Sequence, residues 1–277
     1  TDGLKLAAGA TLRSLLSNWS KTPLRGLFSG YLMTAVVQSS SAVTVASLGF
    51  VNAGLINMRQ ALGIVYGANV GTTMTGWLVA IIGFKLNIQA FALPMIGLGM
   101  LLNLINVRDQ LAAFGMALVG FGLFFMGIDI LKGAFDGLVQ TFDLSQFKAE
   151  GLLGIGNFLL IGLVMTILTQ SSSASIALTI TAASTGMIGV YAAGAMVIGA
   201  NIGTTSTALF ATIGATSNAK RVATAQVVFN LLTAMVALLI LPVLFYLIDA
   251  LTKLLNVTAD PAISLAVFHT LFNILGV

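Results

Sequence analysis

The 277-residue sequence contains no cysteine, a single histidine (His269) and four prolines, and only 7% of it is charged. Without cysteine there are no disulfide frameworks and no thiolate metal sites. With one imidazole, little acid–base or metal chemistry is available to histidine. Soluble domains carry roughly 25% charged residues, and this chain instead has 58% apolar residues and a mean hydropathy of +1.04. It is built for lipid. A bilayer core of about 30 Å takes about 20 apolar residues per helical crossing. Uncharged apolar runs recur at 61–83, 88–106, 110–128, 191–213 and 222–248, leaving no length for a separate soluble domain. The runs lack the two-residue alternation of an outer-membrane barrel, so an all-α polytopic membrane protein is expected.

Charge is as informative by its position as by its scarcity. Twelve Lys and Arg against eight Asp and Glu give a net +4, scattered over the joints between runs at Arg59, Lys85, Arg108, Lys148, Lys220, Arg221 and Lys253. Such solvated joints predict no nucleic-acid partner, and because both faces receive some of them they set no orientation. The chain opens at Thr1 without a signal-peptide pattern and stops at Val277 inside an apolar run, so further sequence, a soluble tail included, is expected beyond it.

What is present is an internal duplication. Gln38-Ser39-Ser40-Ser41-Ala42 returns as Gln170-Ser171-Ser172-Ser173-Ala174, and the Gly67–Thr73 run Gly-Ala-Asn-Val-Gly-Thr-Thr returns as Gly199–Thr205 with Ile for Val. Both are displaced by 132 positions, with Gly30 and Gly162, Thr34 and Thr166, Gly54 and Gly186, and Thr75 and Thr207 in step. A gapped likeness between 3–9 and 127–133 extends each unit upstream as a weakly polar, amphipathic opening. The expected organisation is one transmembrane domain of two units, 1–126 and 127–277. In the first, 24–56 is too long for one upright helix and is interrupted by the Gln-Ser-Ser-Ser run, which predicts two half-length helices at 24–37 and 42–56. If these form a re-entrant hairpin, crossings at 61–83, 88–106 and 110–130 make an odd number. The second copy then lies upside down, the inverted-repeat plan of secondary transporters. A single tilted, broken crossing over 24–56 would make the copies parallel.

Three hydroxyls after a glutamine, set among Val, Ala and Leu, place polar groups where each unsatisfied one costs several kcal/mol. A helix restarting at Ala42 or Ala174 behind Ser caps would leave N–H groups and hydroxyls facing the break, an anion site with the helix dipole behind it. In the Gly-Ala-Asn runs, glycines permit unwinding, Asn69 and Asn201 supply carbonyls, and Thr72 or Thr204 can cap the next half-helix. Unwound carbonyls and side-chain oxygens suit sodium. The competing reading is that membrane Ser and Thr merely bond the carbonyl four back and help helices pack. The Gly-x-x-x-Gly pairs around Gly122 stay with packing. No Lys or Arg falls in the midplane segments, and the nearest acids, Asp129 and Asp249, lie near segment ends. A multiply charged anion in so neutral a site needs co-bound cations, and two monovalent cations per divalent anion predict nearly electroneutral transport.

These residues resemble the type II sodium-phosphate cotransporter family, whose hallmark is a Gln-Ser-Ser-Ser motif in each of two inverted repeats, each followed by a Gly-Ala-Asn-x-Gly-Thr stretch. The likeness covers nearly the whole chain. It implies that Ser39, Ser40, Ser41, Ser171, Ser172 and Ser173 surround inorganic phosphate. It also implies that Gln38, Asn69, Thr72, Thr73, Gln170, Asn201, Thr204 and Thr205 bind sodium as the coupling ion, with no other metal and no cofactor. The bacterial members imply uptake of phosphate with sodium across the inner membrane, and continuation into a soluble regulatory domain. Gln226 with Phe229-Asn230 stands where the family tends to carry His three residues before Phe-Asn, and His269 with Phe272-Asn273 repeats that pattern. His269 reads as a packing or hydrogen-bonding residue. Met100 before Asn103 stands where electrogenic relatives place Asp, which puts a third sodium in doubt. The alternatives are a sodium-coupled carrier of another oxyanion or a dicarboxylate, an intramembrane serine protease with His269 as base, and a passive channel. No Gly-x-Ser-x-Gly elbow supports the protease.

Overall fold

The computed structural model describes residues 22–85, 88–105, 109–141, 151–254 and 260–277. The amphipathic opening expected at 3–9 lies outside these residues, as do Arg108 and Lys148. Eleven helices and no strand occur among the described residues: α1 Pro23–Val37, α2 Ser40–Asn52, α3 Met58–Lys85, α4 Ile88–Ile105, α5 Asp109–Thr141, α6 Gly151–Thr169, α7 Ser172–Ser184, α8 Val190–Gly203, α9 Thr205–Ala211, α10 Ser217–Leu254 and α11 Pro261–Gly276. Four are long and apolar enough to cross a membrane, over Met58–Gly83, Asp109–Val139, Gly151–Thr169 and Ser217–Leu254. The protein is an all-α polytopic membrane protein.

The breaks fall where the Gln-Ser-Ser-Ser runs put them. α1 ends on Gln38, in the left-handed region at φ 55° and ψ 33°, with its backbone N–H donating to Thr34 O at 2.7 Å. Gln170 ends α6 in the same way at φ 52°. These two are the positive-φ residues other than glycine among the described residues. A left-handed conformation costs a residue with a Cβ on the order of 1 kcal/mol and is found where the surroundings over-determine it. Each following helix starts at Ser40 or Ser172, two residues earlier than the expected restart. Ala42 and Ala174 are the residues whose N–H groups the caps Ser39 and Ser171 receive, at 3.3 and 3.2 Å. α2 also ends earlier than expected, at Asn52 rather than 56, because Gly54 at φ 71° turns the chain there, as Gly186 does at φ 78° in the second copy.

Glycine sets the next level. A Cβ on Gly30 would lie 1.9 Å from Ile64 O, and one on Gly67 would lie 1.9 Å from Leu27 O, so α1 and α3 touch backbone to backbone. The same contacts recur 132 positions on, with Gly162 2.0 Å from Met196 O and Gly199 1.9 Å from Leu159 O, joining α6 to α8. Gly122 obeys the packing reading, with Ala92 O at 2.7 Å from its would-be Cβ. Overpacking typically costs about 1–3 kcal/mol, occasionally more. Gly67→Ala and Gly199→Ala should therefore each lower the thermal midpoint by about 2–12 °C, at 2–4 °C per kcal/mol for a chain this size. Gly97→Ala, which meets nothing within 4 Å, should leave it in place.

The expected unit boundary at 126/127 falls inside α5, a continuous helix from Asp109 to Thr141. Packing does not respect it either. One core cluster combines Val79 and Ala80 of α3 with Ile176 of α7 and Ala266 of α11. The other combines Val43 and Ile64 with Ala208 of α9 and Val222 of α10. Each copy contributes to a core built chiefly from the other.

Candidate functional site

Thr75, on α3 and 4% exposed, joins the two serine motifs. Its hydroxyl donates to Gln38 Oε1 at 3.0 Å and lies 3.2 Å from Ser173 Oγ, which belongs to the second motif. Gln38 is held in turn by its own Nε2, which donates to Ala35 O at 2.5 Å. Two motifs 132 residues apart thus meet in one hydrogen-bonded chain. Around them lies a cavity of about 270 Å³, lined by Gln38, Thr75, Ser171 and Ser173 with Phe121 and Phe124 of α5 closing the apolar side. No lining residue is charged. Phe124 stands at the midpoint of the Asp109–Val139 span, so the cavity sits at half the height of α5. The volume is far above the ~10–15 Å³ that admits one water, and it has room for a hydrated tetrahedral anion.

The second copy repeats these contacts in part. Thr207 donates to Gln170 Oε1 at 3.0 Å, and Gln170 Nε2 donates to Ile167 O at 2.6 Å, each pair 132 positions beyond its counterpart. The repeat of the Thr75–Ser173 contact would be Thr207 with Ser41. Among the described residues Ser41 makes no side-chain hydrogen bond. Exposure differs too, since Gln38 is half-buried whereas Gln170 is exposed.

The Asn-containing runs converge on a residue absent from the sequence-derived candidates. Asn230 of α10, fully buried, accepts from Asn69 Nδ2 at 2.7 Å and donates to Asn201 O at 2.9 Å and Thr204 Oγ1 at 3.2 Å. The expected unwinding is corrected here. α3 runs unbroken through Asn69, Thr72 and Thr73, and the hydroxyls of Thr72 and Thr73 bond Ala68 O and Val70 O within the helix. Gly67 and Gly71 serve the close approach of α1 instead of a break. Thr72 therefore caps nothing. In the second copy α8 does stop at Gly203, but Thr204 has helical dihedrals and no side-chain cap bond; its hydroxyl donates to Asn201 O at 2.6 Å. That carbonyl, also held by Asn230, competes with the normal i+4 amide, and Thr205 and Ser206 similarly bond Ile202 O and Gly203 O. Asn230 thus treats the two near-identical runs differently, taking a side chain from one and a backbone carbonyl from the other. Gln226, one turn earlier on α10, is 2% exposed, and its Oε1 has no partner; Asn201 Nδ2 is likewise unpartnered. Asn230→Leu should strand Asn69 Nδ2 in the core at a cost of about 1–3 kcal/mol. A fall in thermal midpoint of about 2–10 °C at 2–4 °C per kcal/mol would register it. Asn230→Asp should fall further, because the carboxylate loses the donors to Asn201 O and Thr204 Oγ1 and buries a charge.

Of the remaining candidates, Ser40 and Ser172 are buried in the first turns of α2 and α7. His269 is 1% exposed, its ring lies 5.5 Å from that of Phe272, and neither nitrogen has a hydrogen-bond partner. It packs. Among the described residues no three His, Cys, Asp or Glu side chains come together, and the oxygen donors lining the cavity are neutral. Thr75 and Asn230 escape residue-type reasoning because single hydroxyls and amides in apolar helices usually serve packing. The signals for them are the register of Thr75 with Thr207 and the spacing of Asn230 one turn beyond Gln226.

Residues 1–133 and 150–266 match the family model described as Na+/Pi-cotransporter. YqeW of Bacillus subtilis (strain 168), an uncharacterised protein, is 32% identical over 276 residues, covering 98% of this chain and 85% of its own length. YjbB of Escherichia coli O157:H7, provisionally named an inorganic phosphate export protein, is 31% identical over 275 residues, covering 99% of this chain and 49% of its own. The chain thus spans about half the length of YjbB. Human sodium-dependent phosphate transport protein 2B is 37% identical over 83 residues, 29% of this chain and 12% of that protein. No solved structure matches the chain. A family match over most of the length, on a helical membrane fold whose uncharged cavity takes Gln38 from one Gln-Ser-Ser-Ser motif and Ser171 and Ser173 from the other, places the chain in the Na+/Pi-cotransporter family, a family of transporters and not of enzymes.

Proposed function

We propose that the chain carries inorganic phosphate across the bacterial inner membrane together with sodium, by alternating access at the cavity between the two serine motifs. The observation that carries this reading is the Gln38–Thr75–Ser173 chain, which brings both copies to one neutral pocket. Phosphate lies between Ser39–Ser41 and Ser171–Ser173. Sodium is held by neutral oxygens of Gln38, Asn69, Thr72, Thr73, Gln170, Asn201, Thr204 and Thr205. In a pocket lacking any fixed cation, desolvating a divalent anion costs several kcal/mol. Two sodium ions per phosphate offset that and make the cycle electroneutral.

The copies are inverted, and α1–α2 forms a re-entrant hairpin. α1 and α2, at 15 and 13 residues, span roughly 20 Å each at 1.5 Å per residue, short of the ~30 Å core. Midplane entry by such half-helices is the usual way these carriers build a site. α6, at 19 residues, reaches about 29 Å.

Purified protein in liposomes tests the reading. Labelled phosphate should accumulate with an inward sodium gradient, without a transport current, and fail to accumulate when choline replaces sodium. Sulfate, arsenate and succinate as competitors separate phosphate from other oxyanions and dicarboxylates. The name of YjbB favours a second reading, export. Phosphate-loaded vesicles that discharge at equal rates with and without sodium would establish export and remove sodium coupling.

A further inference from the structure

A second cavity, about 560 Å³, lies between α3 and α10, away from the serine motifs. Lys220 and Arg221 stand at its mouth, and Val228, Phe229 and Leu232 run down its wall. The ring of Tyr66 stacks on Phe229 with centroids 4.3 Å apart. Neither cation has an ion-pair or hydrogen-bond partner among the described residues, whereas Lys253 at the far end of α10 bonds Asp249 at 2.6 Å. α10 is 38 residues long, about 57 Å at 1.5 Å per residue, so it overshoots the ~30 Å hydrocarbon. Its first turns, before the apolar run begins at 222, stand at headgroup height. From Arg221 to Leu232 the helix descends about 16 Å, the depth of one leaflet's acyl chains in a ~30 Å core. Two unpaired cations above one leaflet's depth of apolar wall, with 48% of Val228 and 53% of Leu232 exposed, match one ligand along their whole length.

We propose that this cleft binds an anionic phospholipid, its phosphate on Lys220 and Arg221 and one acyl chain along Val228 and Leu232 beside the Tyr66–Phe229 stack. Basic clefts between membrane helices bind acidic headgroups in this manner. Free phosphate would use the cations and leave the apolar wall unfilled.

The test is thermal unfolding of the purified chain in detergent, with phosphatidylglycerol or phosphatidylcholine of identical acyl chains added. Phosphatidylglycerol should raise the midpoint by about 5 °C more than phosphatidylcholine when well above its dissociation constant. Lys220→Gln with Arg221→Gln should abolish that difference. Lys253→Gln, which removes a cation at the far end of α10, should retain it. Val228→Trp, filling the cleft without touching charge, should weaken it. Equal stabilisation by both lipids, or a preference surviving in the Lys220/Arg221 variant, overturns the proposal. So does inorganic phosphate alone reproducing the shift in wild type and losing it in that variant, since the cations would then serve a free anion.

Discussion

Thr75→Val should cut sodium-driven phosphate transport by roughly 5- to 100-fold while the protein still folds and inserts. Valine keeps the shape of threonine and loses the hydroxyl, so the change removes the bond to Gln38 Oε1 and the contact with Ser173 Oγ together. A buried acceptor left without a donor costs about 1–3 kcal/mol, and each 1.4 kcal/mol is about tenfold. Because Gln38 already sits at φ 55°, relaxing it also frees the end of α1 that the bond helps to fix. A double-mutant cycle distinguishes this from simple loss of a polar group. Ser173→Ala and Thr75→Val act on one shared contact, so the double variant should lose little more than the worse single. Rates within twofold of wild type for Thr75→Val, or fully multiplicative losses, would remove Thr75 from the site. Initial rates of labelled phosphate entry, normalised to reconstituted protein, are the measurement.

The helix breaks were readable in the residues because a Gln-Ser-Ser-Ser run inside a hydrocarbon-soluble stretch has few ways to satisfy itself. Termination on Gln and capping by the next Ser is among the cheapest, and both copies adopt it. The duplication was readable for the same reason: glycines at 30 and 67, and at 162 and 199, face a carbonyl of the opposite helix at under 3 Å from a would-be Cβ. What local sequence did not carry is the difference between the copies. Gly67–Thr73 and Gly199–Thr205 differ only by Val for Ile, yet one lies in a continuous 28-residue helix and the other is divided at Thr204. Asn230, 29 residues beyond Asn201, makes that difference by holding Asn201 O on one side and Asn69 Nδ2 on the other. A local reading assigns both runs the same conformation, whereas the choice is made by one side chain on a distant helix.

That difference supplies the other large effect. In carriers built from inverted repeats, exchanging the conformations of the two copies generates the oppositely facing state. Here the exchange would break the contact of Thr75 with Ser173 and form one between Thr207 and Ser41, the pair 132 positions away in each case. The chain has no cysteine, so paired replacements carry the only thiols. Thr75→Cys with Ser173→Cys, whose native hydroxyls lie 3.2 Å apart, should cross-link on mild oxidation, where a disulfide needs about 3.5–4.5 Å between Cβ atoms. The reduced pair already lacks the Thr75 hydroxyl and should transport at the lowered rate of Thr75→Val; oxidation should take that residual rate to background, and reduction should restore it. Ser41→Cys with Thr207→Cys should cross-link slowly at rest and faster once sodium and phosphate are both supplied, because only turnover populates the state that brings them together. Lipid-facing control pairs such as Leu239→Cys with Val243→Cys, both exposed, should show no such dependence. Should the 41/207 pair never cross-link in protein that transports, or link at one rate with and without substrates, the two motifs do not trade places and the cavity opens by some asymmetric movement instead.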